Sequence, residues 1–150
     1  MLYDSLISIG SNVGRREIHL QKAISEISYI PQTEILKQSE IINTKALEVT
    51  SQPDFLNVII KILTKLQPYE LLETLQNIEV KIGRIRRFDK GPREIDIDIL
   101  TYSDRIIYTK KLIIPHSSLY TRPFIKELIL NIGEESVYSR FDKHEYYKFL

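Results

Sequence analysis

Cysteine is absent from the 150-residue chain. Disulfides, thiolate zinc sites and cysteine nucleophiles are therefore excluded; the lack fits a reducing compartment, and any site must be built from oxygen and nitrogen. Long apolar runs are missing too. Nothing approaches the ~20 residues of a membrane span, and the first ten residues lack a basic leader region and carry Asp4, so a soluble cytoplasmic protein with no membrane partner is expected. Neither sign of charge dominates. With net charge +1 and pI about 7.9, the overall field argues neither for nor against nucleic acid, so a basic site has to arise from local clustering; no nucleic-acid partner is expected. Alanine is nearly absent while isoleucine abounds, a bias attributable to genome composition, so isoleucine-rich runs carry less weight as strand signals. Internal repeats and linkers are also lacking. A composition of 43% hydrophobic and 27% charged residues fits one globular domain over residues 1–150, expected to be a monomer.

The chain is organised around Asp89-Lys90-Gly91-Pro92-Arg93-Glu94-Ile95-Asp96-Ile97-Asp98-Ile99-Leu100. After the Gly-Pro turn the residues alternate with period two, which puts Ile95, Ile97 and Ile99 on one strand face and Asp96 and Asp98 on the other. Side chains two apart on one face stand about 7 Å from each other, so the two anions repel unless cations or water intervene. Hard oxygen ligands at that spacing suit Mg²⁺, which favours one or two carboxylates completed by substrate phosphates. Taken alone, an Asp-x-Asp is more often the wet face of an edge strand.

Taken in order, Ser5 to Ile9 reads as a strand, Gly10 to Gly14 as a turn with Ser11 or Asn12 as helix cap, and Leu20, Ala23, Ile24 and Ile27 as the stripe of a helix that ends before Pro31. Glu34 to Ile42 is a second strand. Asn43 to Asp54 is a polar loop long enough to act as a lid. Phe55 to Leu66 is the clearest strand: Leu56, Val58, Ile60 and Ile62 share one face, and Phe55, Asn57, Ile59 and Lys61 the other. Pro68 opens a helix with Leu71, Leu75, Ile78 and Ile82 as its stripe and Gly83 as its stop, and Gln76 and Glu79 lie beside that stripe. A basic loop, 84–91, leads into the Asp-x-Asp strand. A short strand near Arg105 to Tyr108, then Ile113 to His116 and a last helix from Pro123 to Leu130 follow, while residues 134–150 give no clear pattern.

The order strand, helix, strand, strand, helix, strand is that of an α+β, ferredoxin-like split β-α-β antiparallel sheet with a short C-terminal extension. Helices covering one face leave Phe55, Asn57, Asp96 and Asp98 on the other, where a site is expected. Arg84, Arg86, Arg87, Arg93, Arg122 and Lys111 gather in sequence around the carboxylates, and guanidinium forks match phosphate oxygens, so the set describes a polyphosphate site; each arginine alone is more often a solvated surface charge. His116 could donate to a phosphate or a leaving oxygen, or equally bond backbone beside Pro115. Phe55 and Phe124 read as core aromatics, yet Asn57 beside Phe55 supplies the aromatic-plus-amide pair that holds a flat heterocycle.

These residues resemble the 6-hydroxymethyl-7,8-dihydropterin pyrophosphokinase family, folate-pathway enzymes that transfer pyrophosphate from ATP to the pterin hydroxymethyl group. The family signature is met from Asp89 through Leu100, with further matches at Gly10-Ser11-Asn12, Gln52 to Asn57, Gln76 and Glu79 before Gly83-Arg84, Pro115-His116, and Arg122 with Phe124, spanning about residues 6 to 130. The resemblance implies two Mg²⁺ ions on Asp96 and Asp98, catalytic roles for these and for Arg84 and Arg93, and a pterin between Phe55 and Phe124, read by Asn57 and flanked by Thr44 and Leu47. It implies ATP contacts from Gln76, Glu79, Arg84, Arg86, Arg93, Lys111, His116 and Arg122, and mobile loops at 43–54 and 84–91. Lys90 stands where Trp is frequent, Lys111 where Arg is, and Ile113 where Thr is. Two rivals remain: a two-metal nucleotidyl transferase or nuclease, which needs a basic track for nucleic acid, and a non-catalytic RNA-binding module, which the missing Lys/Arg-Gly-aromatic motif and the acidic face oppose.

Overall fold

The computed structural model describes residues 1–45, 53–85 and 92–141. Leu47, Arg86, Arg87 and Lys90, the C-terminal tail after residue 141, and most of the two expected mobile loops lie outside the described residues. The elements are β1 (Tyr3–Ser11), α1 (Arg16–Ser28), β2 (Thr33–Gln38), β3 (Ile42–Thr44), β4 (Phe55–Thr64), α2 (Pro68–Ile82), β5 (Asp96–Ile99), β6 (Ile107–Tyr108), β7 (Ile113–Ile114), α3 (Ser118–Thr121), α4 (Pro123–Asn131) and α5 (Val137–Arg140). The main sheet runs β2-β4-β1-β5, all neighbours antiparallel, with β3 continuing the β2 edge along β4. This is the ferredoxin-like arrangement.

The period-two pattern explains the layers. Ile7, Ile9, Leu56, Val58, Ile60, Ile62, Ile95, Ile97 and Ile99 leave one face of the sheet and pack against Leu20, Ala23 and Ile27 of α1 and Leu71, Leu75 and Ile78 of α2. Helix α2 starts with Pro68 after a capping box in which Glu70 accepts from the Gln67 N–H at 3.1 Å, and it stops at Gly83, whose φ of 110° is open only to a residue without a Cβ.

The second face differs from expectation. It is covered in part, because Leu6, Ile59 and Leu100 pack against Leu119 of α3, Ile125, Leu128 and Ile129 of α4, and Val137 and Phe141. The C-terminal extension is thus a second helical layer, and what stays open of this face is the part that Gly10, Asn57 and Asp96 occupy. The expected second strand is split: after Gln38 the Ser39 N–H donates to Ile59 O at 2.8 Å, and the Ser39 hydroxyl in turn accepts from the Ile59 N–H at 2.9 Å, so a side chain replaces a backbone partner before β3 resumes. Thr44, assigned to the loop by composition, belongs to β3 opposite Phe55. Neither Ser11 nor Asn12 caps α1, whose N-cap is Arg15 with no side-chain bond. The strand expected near Arg105 is confined to Ile107–Tyr108, and α5 forms where no element was read.

One buried ionic cluster ties the second layer to the sheet. Glu134 accepts from Lys37 Nζ at 2.6 Å and from Lys61 Nζ at 2.8 Å, and Lys37 also donates to Ile132 O at 3.0 Å. Burial alone would raise the Glu134 pKa, but the two lysines outweigh it and hold the carboxyl below its usual value. A depressed carboxylate contributes stability above its unfolded pKa and loses it as pH falls through the folded one. Glu134→Gln is therefore expected to cost about 1–3 kcal/mol at neutral pH, mostly through Lys61, since Lys37 is 41% exposed and screened. The same change should flatten the acid limb of stability. Urea denaturation at pH 3 to 8 checks both, and equal losses at both ends would remove the charge argument.

Candidate active site

Strand β1 is bonded on both sides, and its register builds the floor of the site. Gly10 lies opposite Asn57 on β4 and Asp96 on β5, while Ser8 lies opposite Ile59 and Asp98. Adjacent strands are about 4.8 Å apart, so a row Asn57-Gly10-Asp96 spans the floor with a residue lacking any side chain at its centre. A Cβ built on Gly10 would stand 2.9 Å from Asn57 Oδ1, closer than a carbon can approach, and in ordinary contact at 3.6 Å with Phe55 Cδ1, so the glycine is the condition for the position of the Asn57 amide. Around this floor Thr44, Lys45, Phe55, Arg93, Asp98, Ser118, Arg122 and Phe124 close a cavity.

On its β4 side the cavity is aromatic and amidic. The Asn57 amide donates to Thr44 Oγ1 at 2.6 Å, which fixes its plane, and Phe55 and Phe124 approach from β4 and α4. On its β5 side it is ionic. Arg93 Nη1 donates to Asp96 Oδ2 at 3.1 Å, and Arg84 Nη1 lies 3.5 Å from Asp96 Oδ1 and 2.7 Å from Glu79 Oε2. Glu79 projects from the buried side of α2, and the same Oε2 accepts from the Ile97 N–H at 2.8 Å, between the two aspartates. Burial pushes the Glu79 pKa up to about 7 in spite of these donors.

The aspartates are not equivalent. Asp96 is paired with two guanidinium groups, whereas Asp98 has the His116 ring beside it, with Nε2 at 3.9 Å from Oδ1, and Arg93 acts on it through its charge alone among the described residues. Burial, and then the charges of Asp96 and Glu79, raise the Asp98 pKa well above the usual carboxylate range. The Ser118 N–H donates to His116 Nδ1 at 3.1 Å, which leaves the proton of the neutral ring on Nε2, facing Asp98. Burial lowers the His116 pKa and keeps that ring neutral.

Of the residues singled out from sequence, Thr44, Phe55, Asn57, Arg93, Asp96, Asp98, Arg122 and Phe124 meet in one cavity, and Glu79, Arg84 and His116 reach it through contacts with the carboxylates. Gln76 and Lys111 are exposed and stand outside its lining, and Leu47 and Arg86 are not among the described residues. Sequence reasoning missed Gly10 and Ser8 as the floor and Lys45 at the rim. It also missed Asn12, whose amide bonds both Arg93 N and Pro53 O. The Gly-Ser-Asn run was visible, but only the strand register shows what it lies beneath.

An antiparallel sheet with a carboxylate pair under arginines, next to an aromatic and amide slot, defines the class: a transferase that moves a phosphate-bearing group onto a flat small molecule. The chain belongs to the 7,8-dihydro-6-hydroxymethylpterin-pyrophosphokinase (HPPK) family, whose model matches residues 6–134. It is 40% identical over 137 residues to the 2-amino-4-hydroxy-6-hydroxymethyldihydropteridine pyrophosphokinase of Aquifex aeolicus, covering 91% of this chain and 84% of that protein. It is 40% identical over 129 residues to the protein of that name from Bacillus subtilis, covering 86% and 77%. It also matches the folic acid synthesis protein fol1 of Pneumocystis carinii at 40% identity over 88% of this chain, yet spans only 18% of that longer protein. A solved HPPK-DHPS structure from Plasmodium falciparum superposes with a TM-score of 0.68 at 12% identity, over 88% of this chain and 39% of that one, which supports the fold.

The floor makes a direct prediction. Gly10→Ala should displace the Asn57 amide, lowering pterin affinity by about tenfold, equivalent to about 1.4 kcal/mol, with nucleotide affinity little changed. Calorimetric titration of each ligand checks it, and an equal loss for both would mean that the whole sheet has shifted.

Proposed function

We propose that this cavity carries the family's reaction: pyrophosphate passes from ATP to the hydroxymethyl group of 6-hydroxymethyl-7,8-dihydropterin, a step of folate biosynthesis, and AMP leaves. The observation that carries the reading is the juxtaposition, across one glycine, of an amide and aromatic slot with a carboxylate pair of which Asp96 is arginine-bound. A nuclease or an RNA-binding module needs an extended basic track, and this site is a concave pocket with an acidic floor edge.

The donor set fits Mg²⁺. No group of three or more His, Cys, Asp or Glu forms a protein cage among the described residues, and two carboxylates completed by substrate phosphates and water is the arrangement that ion prefers. Burial, and then the neighbouring carboxylates, raise the Asp98 pKa, and a cation beside it would favour the charged form. Asp96 and Asp98 would hold two such ions, which when bound supply charge to offset that of the transferring group.

The chain's own groups do the rest by placement, since phosphoryl transfer leaves little covalent work for protein groups. Phe55 and Phe124 stack on the two faces of the pterin, Asn57 bonds its amide edge, and Thr44 fixes Asn57, with Leu47 assigned to the same side. The pterin hydroxyl oxygen forms a bond to the β-phosphorus as the bond from that phosphorus to the α–β bridging oxygen breaks; AMP leaves with that oxygen, and the hydroxyl proton is lost to solvent. Arg84 and Arg93, held beside Asp96, face the transferring group, and His116 offers its Nε2–H to a phosphate oxygen. Arg122 lies on the cavity wall for the same polyphosphate; Arg86, and the exposed Gln76 and Lys111, are assigned to outer parts of the nucleotide. Glu79, with one oxygen bonded to both Ile97 and Arg84, serves ATP by aiming Arg84 rather than by touching the ligand.

Incubating the protein with ATP, Mg²⁺ and the pterin should yield AMP. ADP as the nucleotide product, or no pterin dependence, would refute the assignment. Asp96→Ala and Asp98→Ala should each abolish turnover with the fold intact; a rate within tenfold of wild type would remove the metal role. Asn57→Ala should weaken pterin binding far more than ATP binding.

A further inference from the structure

The side chain of Asn12 lies just past the end of β1, 1% exposed, and is not among the residues that line the cavity. Its two amide atoms nevertheless serve the two halves of the site. Oδ1 accepts from the Arg93 N–H at 2.8 Å, and the Asn12 N–H donates to Arg93 O at 3.1 Å, so Arg93 is clamped on both of its backbone groups. From that clamp its guanidinium reaches Asp96. Nδ2 donates to Pro53 O at 3.1 Å, two residues before Phe55. The amide orientation is dictated by its partners, because an N–H must meet the oxygen and a carbonyl must meet the NH₂. Arg16 adds a bond to the next carbonyl, Asp54 O, at 2.8 Å, so the segment entering β4 is held from one side by α1 and from the other by Asn12.

We propose that Asn12 is a positioning residue with a divided role: its oxygen sets Arg93 for the transfer step, and its nitrogen sets the Pro53–Phe55 wall for the pterin. This rests on the reading of the site as a pterin pyrophosphokinase. Asparagine presents its acceptor and its donor on two adjacent atoms, one for each partner. Aspartate, nearly isosteric, keeps the acceptor for Arg93 but turns a second oxygen toward Pro53 O, where the two repel.

Kinetics of two variants separate the roles. Asn12→Asp should raise the pterin KM by about tenfold with kcat within threefold of wild type and ATP KM unchanged. Asn12→Ala, losing both bonds, should raise the pterin KM similarly and lower kcat by about a hundredfold, the scale of a misplaced catalytic group. Amide hydrogen exchange supplies a readout independent of turnover: Arg93 N–H should exchange faster in Asn12→Ala than in wild type and at the wild-type rate in Asn12→Asp. The inference is overturned if Asn12→Asp loses kcat as Asn12→Ala does, if Asn12→Ala keeps wild-type kcat, or if the variants lose thermal stability with all kinetic constants unchanged. Should Asn12→Ala not fold, the split between pterin KM and kcat in Asn12→Asp decides alone. A wild-type protein that makes no AMP from ATP and the pterin would refute the reaction; the Arg93 exchange rates would still test the clamp.

Discussion

The constraint on which the structure depends is the position of β1, hydrogen-bonded to β4 on one side and β5 on the other. A central strand must present side chains to both faces, and β1 does two different things with them. Toward α1 and α2 it gives Ile7 and Ile9, fully in the core. Toward the other face it gives Leu6 only as far as the C-terminal helices reach, then Ser8 and Gly10. The apolar layer ends where the side chains shrink, and that edge is the cavity. Substrate space is therefore made by what β1 omits rather than by a gap between separate elements.

Charge then follows from layering. Asp96 and Asp98 stand on the face away from the isoleucine core, and Glu79 comes from the helix packed on that core, entering at the edge of β5 to bond Ile97 N–H. Three carboxyl groups thus converge from two sides of one short strand. Among the described residues Arg84 pairs with Glu79 and Asp96 and Arg93 pairs with Asp96, while at Asp98 the charge of Arg93 does not offset burial. The result is a graded site: Asp96 is paired with guanidinium groups, while burial and the neighbouring carboxylates raise the Asp98 pKa.

Legibility from sequence tracks how local each determinant is. Strand alternation in Leu56 to Ile62 and Ile95 to Ile99, the Pro68 start and the Gly83 stop depend on neighbours in the chain, and each is where periodicity and turn chemistry put it. The carboxylate pair and Asn57 were readable for the same reason. What could not be read is set across the sheet: the split of the second strand depends on Ser39 meeting Ile59, the second helical layer on Leu6 and Ile59 finding Ile125 and Leu128, and the floor at Gly10 on its register with both neighbours. Asn12 looked like a helix cap because Asn before a helix usually is one. Its amide instead bonds Arg93 across 81 residues of chain, a partner no local rule can supply.

The long-range bonds share a direction. Asn12 clamps Arg93, Glu94 accepts from the Ile85 N–H at 3.1 Å, and Arg84 is bonded to Glu79 and lies beside Asp96, so both ends of the basic segment 84–93 are fastened to rigid elements. The segment entering β4 is anchored likewise, by Asn12 and Arg16 at Pro53 and Asp54 and by the β3 pairing of Thr44 with Phe55. The two halves of the site thus meet the rest of the fold at the same residue, the last before the chain turns toward α1, which is why a side chain outside the cavity can govern the geometry on both sides of it.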